Sequence, residues 1–143
     1  MAFSNPSREQ LKELLEQSNT IAVVGLSDNR ERVSYMVSEA MKKKGYRIIP
    51  VNPNATEILE ETCFASLSDI PFPIDLVNVF RRSEYTPEVA EEAVKIGAKA
   101  LWLQLGIYSE EAAAIAEAAG MTVVMDRCIK VEDSILLPNG KEA

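Results

Sequence analysis

Ile21-Ala22-Val23-Val24-Gly25-Leu26-Ser27-Asp28-Asn29-Arg30-Glu31-Arg32 is the stretch on which the reading of the fold turns. An apolar run ends on a glycine, passes through a small polar turn and enters a segment of helical periodicity. A strand–turn–helix of this kind aims free backbone N–H groups and the positive end of a helix dipole at one place, which suits a phosphate. The stretch reads as the opening of a nucleotide-binding α/β domain.

Outward from it, further apolar runs predict strands over 47–51, 75–80, 100–105 and 122–125. Their starts fall about 20–30 residues apart, the length of a βα unit. The runs are continuous rather than alternating, as expected of parallel strands covered on both faces. Helices are predicted between them. Ser7 and Gln10 have capping-box spacing before a helix to residue 17, with Leu11, Leu14 and Leu15 on one face. A second helix runs over 31–44, with Val33, Val37, Ala40 and Met41 as its stripe and Gly45 as its stop. Lys42, Lys43 and Lys44 at its negative end read as dipole compensation and solubility. Thr86 as N-cap with Pro87 at the first helical position opens another helix, and Ser109 followed by Glu110 and Glu111 opens the next. Residues 57–70 read as an irregular connection with a short edge strand near 63–65 and a short helix begun by Ser66 or Ser68. The expected architecture is a Rossmann-like, doubly wound and mostly parallel sheet of five to six strands, with helices on both faces. One domain fills residues 1–143, with an N-terminal helix in 1–19 and a polar tail over 133–143.

The composition narrows the partners. A net charge of -7 argues against nucleic acid, whose phosphates call for clustered Lys and Arg. No apolar run approaches the roughly 20 residues that span a bilayer. The start of the chain lacks the basic and apolar regions of a signal peptide, so a cytoplasmic protein with no membrane association is expected. Cys63 and Cys128 lack metal-site spacing and read as free thiols. The sequence has no histidine, which removes Ser-His and Cys-His nucleophile pairs and His-ligated metals. Asp126 and Cys128, just after the last strand, are the remaining candidates for chemistry; an arginine beside Cys128 is a means of lowering its pKa. Trp102 reads as core.

The nucleotide is not an ordinary NAD. A dinucleotide turn reads GxGxxG, with an acid ending the second strand to hold the adenine ribose. Here those glycine positions are Gly25, Ser27 and Arg30, and the second strand ends in Val51-Asn52-Pro53. Ser27 brings a hydroxyl and Arg30 a full charge. Both changes suit a ligand more anionic than NAD, and NADP and coenzyme A both fit.

The segments VVGLSDNRERVSYMV, IIPVNPN, DLVNVFRRSEYTPEVAEEAVKIGAKALWLQLGI and VVMDRCIKVE, in that order, cover most of residues 20–132. This set resembles the small stand-alone CoA-binding proteins of bacteria, the YccU-like group, and is similar to the CoA-binding domain of the succinyl-CoA synthetase α subunit. The resemblance implies coenzyme A or an acyl-CoA as ligand. It places the phosphates at Gly25, Ser27, Asp28, Asn29 and Arg30, with Arg32 close enough for a charge-assisted contact. It puts Asn52 and Pro53 at the nucleotide's border, Phe80, Arg81 and Arg82 along the ligand, and Gln104 and Gly106 at the flanking turn. The synthetase has a lysine after the second strand where this chain has Asn54 and Ala55. Its second domain, which carries a phosphorylated histidine, has no counterpart here. The resemblance therefore implies non-catalytic binding. An NADP- or CoA-dependent enzyme using Asp126 or Cys128, or a partner-dependent ligase subunit, is the alternative. A protein partner or a homo-oligomer is left open.

Overall fold

The apolar runs become the strands of one parallel sheet in the computed structural model, which describes residues 3–140. Along the chain come α1 (Arg8–Gln17), β1 (Thr20–Val24), α2 (Val33–Lys43) and β2 (Arg47–Val51). A small hairpin of β3 (Glu57–Ile58) and β4 (Glu61–Thr62) follows, then β5 (Leu76–Val79), α3 (Thr86–Lys95) and β6 (Ala100–Leu103). The chain continues through α4 (Glu110–Ala118), β7 (Thr122–Val124) and α5 (Ile129–Leu136).

The main sheet has five strands in the order β2-β1-β5-β6-β7, all parallel. Alternate side chains along each strand feed two cores. Ala22, Val24, Val77, Val79, Leu101 and Leu103 face α3 and α4. Ile21, Val23, Leu76, Ala100 and Trp102 face α1, α2 and α5. Burial on both sides is why these strands carry almost no polar residues. Trp102 is fully buried, and its indole N–H donates to the Arg127 carbonyl at 2.9 Å, as a buried indole requires.

The helix ends follow the capping expectations with one exception. Ser7 and Gln10 form a complete capping box, and Ser109 accepts from the Ala112 amide. Thr86 is not an N-cap. A 3₁₀ turn over Ser83–Tyr85 precedes it, so Tyr85 takes that position and Thr86 Oγ1 donates back to the Ser83 carbonyl.

Two further regions depart from expectation. The crossover from β2 to β5 contains no α-helix: the short helix expected after Ser66 is a 3₁₀ turn over Leu67–Asp69, and the β3–β4 hairpin before it is unexpected. The edge strand expected near residues 63–65 shrinks to one bridge between Phe64 and Val51. After β7 the chain does not run straight into a polar tail. Ile129–Leu136 form α5, with Asp133 wholly buried. The last residues of the expected tail, 141–143, lie outside the described residues.

Asp133 explains why an acidic residue can face inward there. Tyr46 Oη donates to its Oδ2 at 2.6 Å, and Lys44 Nζ lies 2.9 Å from its Oδ1 without the alignment of a hydrogen bond. Burial and the Asp133 carboxylate together push the Tyr46 phenol far above its usual range. Lys44 and Lys42 are thus structural as well as dipole-compensating. Lys42 Nζ donates to the Leu59 carbonyl and to Glu60, across the hairpin turn.

Candidate functional site

The strand order reverses between β1 and β5, because the chain leaves β1 toward β2 on one side and returns to β5 on the other. Open α/β sheets bind ligands in the crevice at such a reversal, beyond the carboxyl ends of the strands. Gly25 and Phe80 close those two strands and touch there. Gly25 has φ +86, and a Cβ on it would come within 2.6 Å of the Phe80 carbonyl oxygen. Only glycine lets the two strand ends approach this closely.

After Gly25 the loop is held by its own polar groups. The Ser27 amide donates to Ser34 Oγ at 3.0 Å, and Ser27 Oγ accepts from the Asn29 amide at 3.0 Å. Asn29 Oδ1 accepts from the Glu31 amide at 2.9 Å, and its carbonyl accepts from the Arg32 amide. The loop therefore delays the start of α2 to Val33, with Arg32 at the N-cap and no side chain capping the helix. Among the described residues, nothing accepts from the amides of Val33 and Ser34. These are the donors that an anion at a helix start uses.

Asn52 couples this loop to the next. Its Nδ2 donates to the Leu26 carbonyl at 2.9 Å, and its Oδ1 accepts from the Asn54 amide at 2.8 Å. Both ends of the amide are committed, so Asn52 fixes the relation of two loops.

Three clefts meet at the crevice. One of about 540 Å³ is lined by Gly25, Ser27, Glu31, Arg32, Ser34 and Phe80. The largest, about 680 Å³, runs from Gly25, Asn52 and Pro53 to Arg81, Tyr85 and the outer turns of α3. The third, about 500 Å³, is bordered by Phe80, Arg81, Arg82 and Gly106. The largest exists because the β2–β5 crossover lacks a helix, which leaves that flank of the sheet open beside α3. Arg81 reaches along it with its guanidinium 5.1 Å from the centre of the Tyr85 ring.

The structure thus gathers Gly25, Ser27, Arg32, Asn52, Pro53, Phe80, Arg81, Arg82 and Gly106 around connected clefts. Asp28, Asn29 and Arg30 stand exposed on the outer side of the loop and line none of them. Gln104 is buried and its Oε1 accepts from the Ile129 amide at 3.0 Å, so it anchors the start of α5. The Gly106 amide donates to Asp126 Oδ1 at 2.7 Å. Asp126 itself has φ +59, and its amide donates to the Ile107 carbonyl at 3.2 Å, so its amide and Oδ1 join two loops. Cys128 is half-buried at the N-cap of α5. Burial pushes the Cys63 thiol up, and Asp28 and Glu57 push it further, away from nucleophilic character. Tyr85 was missed by the sequence reading; its one signal was spacing, four residues after Arg81 and beside the helix start.

Among the described residues no cluster of acidic or sulfur ligands could hold a metal ion, and no helix is long and apolar enough to cross a membrane.

Comparison with known proteins identifies the family. The chain is 51% identical over 133 residues to the uncharacterized protein YneT of Bacillus subtilis, covering 93% of this chain and 98% of that one. It is 33% identical over 94 residues to an ADP-forming acetate–CoA ligase of Archaeoglobus fulgidus, which covers 64% of this chain but only 14% of the ligase. A hypothetical protein from Pyrococcus horikoshii superposes with a TM-score of 0.89 at 36% identity, over 96% of this chain and 99% of that structure. Residues 19–134 match the CoA binding domain, and the chain belongs to that family.

Proposed function

We propose that this protein binds coenzyme A or an acyl-CoA and performs no chemistry on it alone. It would act as a cytoplasmic, single-domain member of the YccU-like group. The likeness to the CoA-binding domain of succinyl-CoA synthetase belongs to the same reading. One observation carries it. Arg32, Arg81 and Arg82 line the clefts at the strand-order reversal, and among the described residues no ion pair engages any of them. Unpaired guanidinium groups beside an uncapped helix start are a donor set for phosphates.

The residues present fit the cofactor. The amides of Val33 and Ser34 and the Ser27 hydroxyl would meet the pyrophosphate. Arg81 and Arg82 would take the 3′-phosphate. Arg32 adds charge at the helix start, offset in part by Glu31 on the same cleft. A non-catalytic role is supported by the commitment of Asp126 Oδ1 to the Gly106 amide. The match to ligases of which the chain spans 14% favours one second reading, a subunit that presents CoA to a separate catalytic chain.

Thermal shift and calorimetry with CoA, dephospho-CoA, NADP and NAD test this. A ligand at 100 times its Kd adds about 2.7 kcal/mol of stability, a clear rise in Tm. CoA should give the largest rise and dephospho-CoA a smaller one. A rise with NADP alone would overturn the proposal.

A further inference from the structure

The clefts around Gly25 differ in charge, and the difference bears on which CoA esters the site accepts. The cleft beside Phe80 and Gly106 carries Arg81 and Arg82 against Glu84. The large cleft beside α3 carries Glu88, Glu91 and Glu92 against Arg81 and Lys95. Glu88 and Glu91 are exposed, and no ion pair joins either to a cation among the described residues. Glu92 is half-buried and pinned, with its Oε2 accepting from Ser68 Oγ at 3.1 Å. The carboxylates stand on one wall because α3 presents its outer face to the flank that the helix-free crossover leaves open.

Coenzyme A is polar in the same sense. Its nucleotide end bears all the phosphates, and its pantetheine arm is uncharged up to the thiol. With the pyrophosphate at the start of α2, the anionic end gains on the arginine side, and the neutral arm loses least on the carboxylate side. The geometry points to a charge filter: the arm and its acyl group lie along the α3 cleft, and Glu88 and Glu91 make the site select neutral acyl groups over dicarboxylic ones. This rests on the CoA reading above and names the substrate class within it. A free acyl carboxylate placed in the cleft would meet the three carboxylates against the two cations Arg81 and Lys95, so like charge outweighs opposite charge within a Debye length, about 8 Å at physiological salt. Neutral acyl groups meet no such opposition.

Calorimetry on the full chain at low salt tests the filter with CoA, acetyl-CoA and succinyl-CoA. Acetyl-CoA should bind within about twofold of CoA, and succinyl-CoA at least about tenfold more weakly, a repulsion of roughly 1.4 kcal/mol. In the double variant E88Q/E91Q the gap should close to below about threefold, and rising salt should narrow it in the parent. Both positions are exposed, so the variant keeps the fold, which its Tm will show. Equal affinity for acetyl-CoA and succinyl-CoA in the parent overturns the filter while leaving CoA binding intact. A gap that survives in the variant overturns the assignment to Glu88 and Glu91. Failure of CoA itself to bind removes the reading beneath the filter, and the filter with it.

Discussion

The two edges of the sheet treat their cations in opposite ways. At the amino-terminal edge Lys42, Lys44, Lys99 and Arg47 are paired. Lys44 meets Asp133 at 2.9 Å, Lys42 meets Glu60 at 3.2 Å, Arg47 meets Glu61 at 3.2 Å, and Lys99 approaches Asp75 at 4.0 Å. At the carboxyl-terminal edge Arg30, Arg32, Arg81, Arg82 and Arg127 have no carboxylate partner among the described residues. Exposed ion pairs contribute little to stability, so their distribution reports on something else. One edge has its charge settled within the fold. The other keeps positive charge available for an anion, in a chain whose net charge is -7.

The contrast can be broken at its hinge. Gly25→Ala should cost the most, because it forces a side chain into a left-handed conformation against the Phe80 carbonyl. A stability loss of about 2–4 kcal/mol is expected by chemical denaturation, together with loss of detectable CoA binding by calorimetry. Asp133→Ala attacks the opposite edge. It removes the buried carboxylate that accepts from the Tyr46 hydroxyl and pairs with Lys44, for a loss of about 2–4 kcal/mol. Its CoA affinity should stay at the parental value, measured well below the lowered Tm. A ligand-affinity loss equal to the stability loss would erase the distinction between the edges.

Two smaller changes sharpen the comparison. Arg32→Ala should weaken CoA by about 1–3 kcal/mol, the scale of a lost charge-assisted hydrogen bond. Arg30→Ala should weaken it by less than about 1 kcal/mol, because that guanidinium faces bulk solvent outside the clefts. An equal effect of the two would mean that the loop closes around its ligand. Least of all, Lys42→Ala should lower stability by about 0.5 kcal/mol, through the hairpin turn it holds, and leave binding untouched.

The sheet was legible because its signals are local. Continuous apolar runs such as 21–24 and 47–51 can only be strands covered on both faces, and capping residues mark the helices between them. What escaped is held by partners distant in sequence. In α5 the inward position is Asp133, which reads as surface until Lys44 and Tyr46 are seen beside it. The β3–β4 hairpin turns at Leu59 and Glu60, both at positive φ, without the Gly or Asn that announces such a turn. The Lys42 ammonium bound to that turn supplies what the local sequence lacks. At the candidate site the convergence of Gly25, Asn52 and Arg81 was visible, since residues at strand ends share one edge. The roles of Gln104 and Asp126 were not, because a polar residue at a strand end looks the same whether it meets a ligand or another loop.

The helix-free crossover separates two jobs in the chain. The donors at the start of α2 are fixed by β1 and its hydrogen-bonded loop. Most of the wall opposite α3, from Pro53 through Ser68, comes from a connection that adds only a single bridge to the main sheet. Insertions or rewritten turns there can reshape what the groove admits while the anchoring end stays unchanged. On the proposed reading, such a scaffold could drift between acyl specificities, by evolution or by design, without first surrendering its grip on the nucleotide.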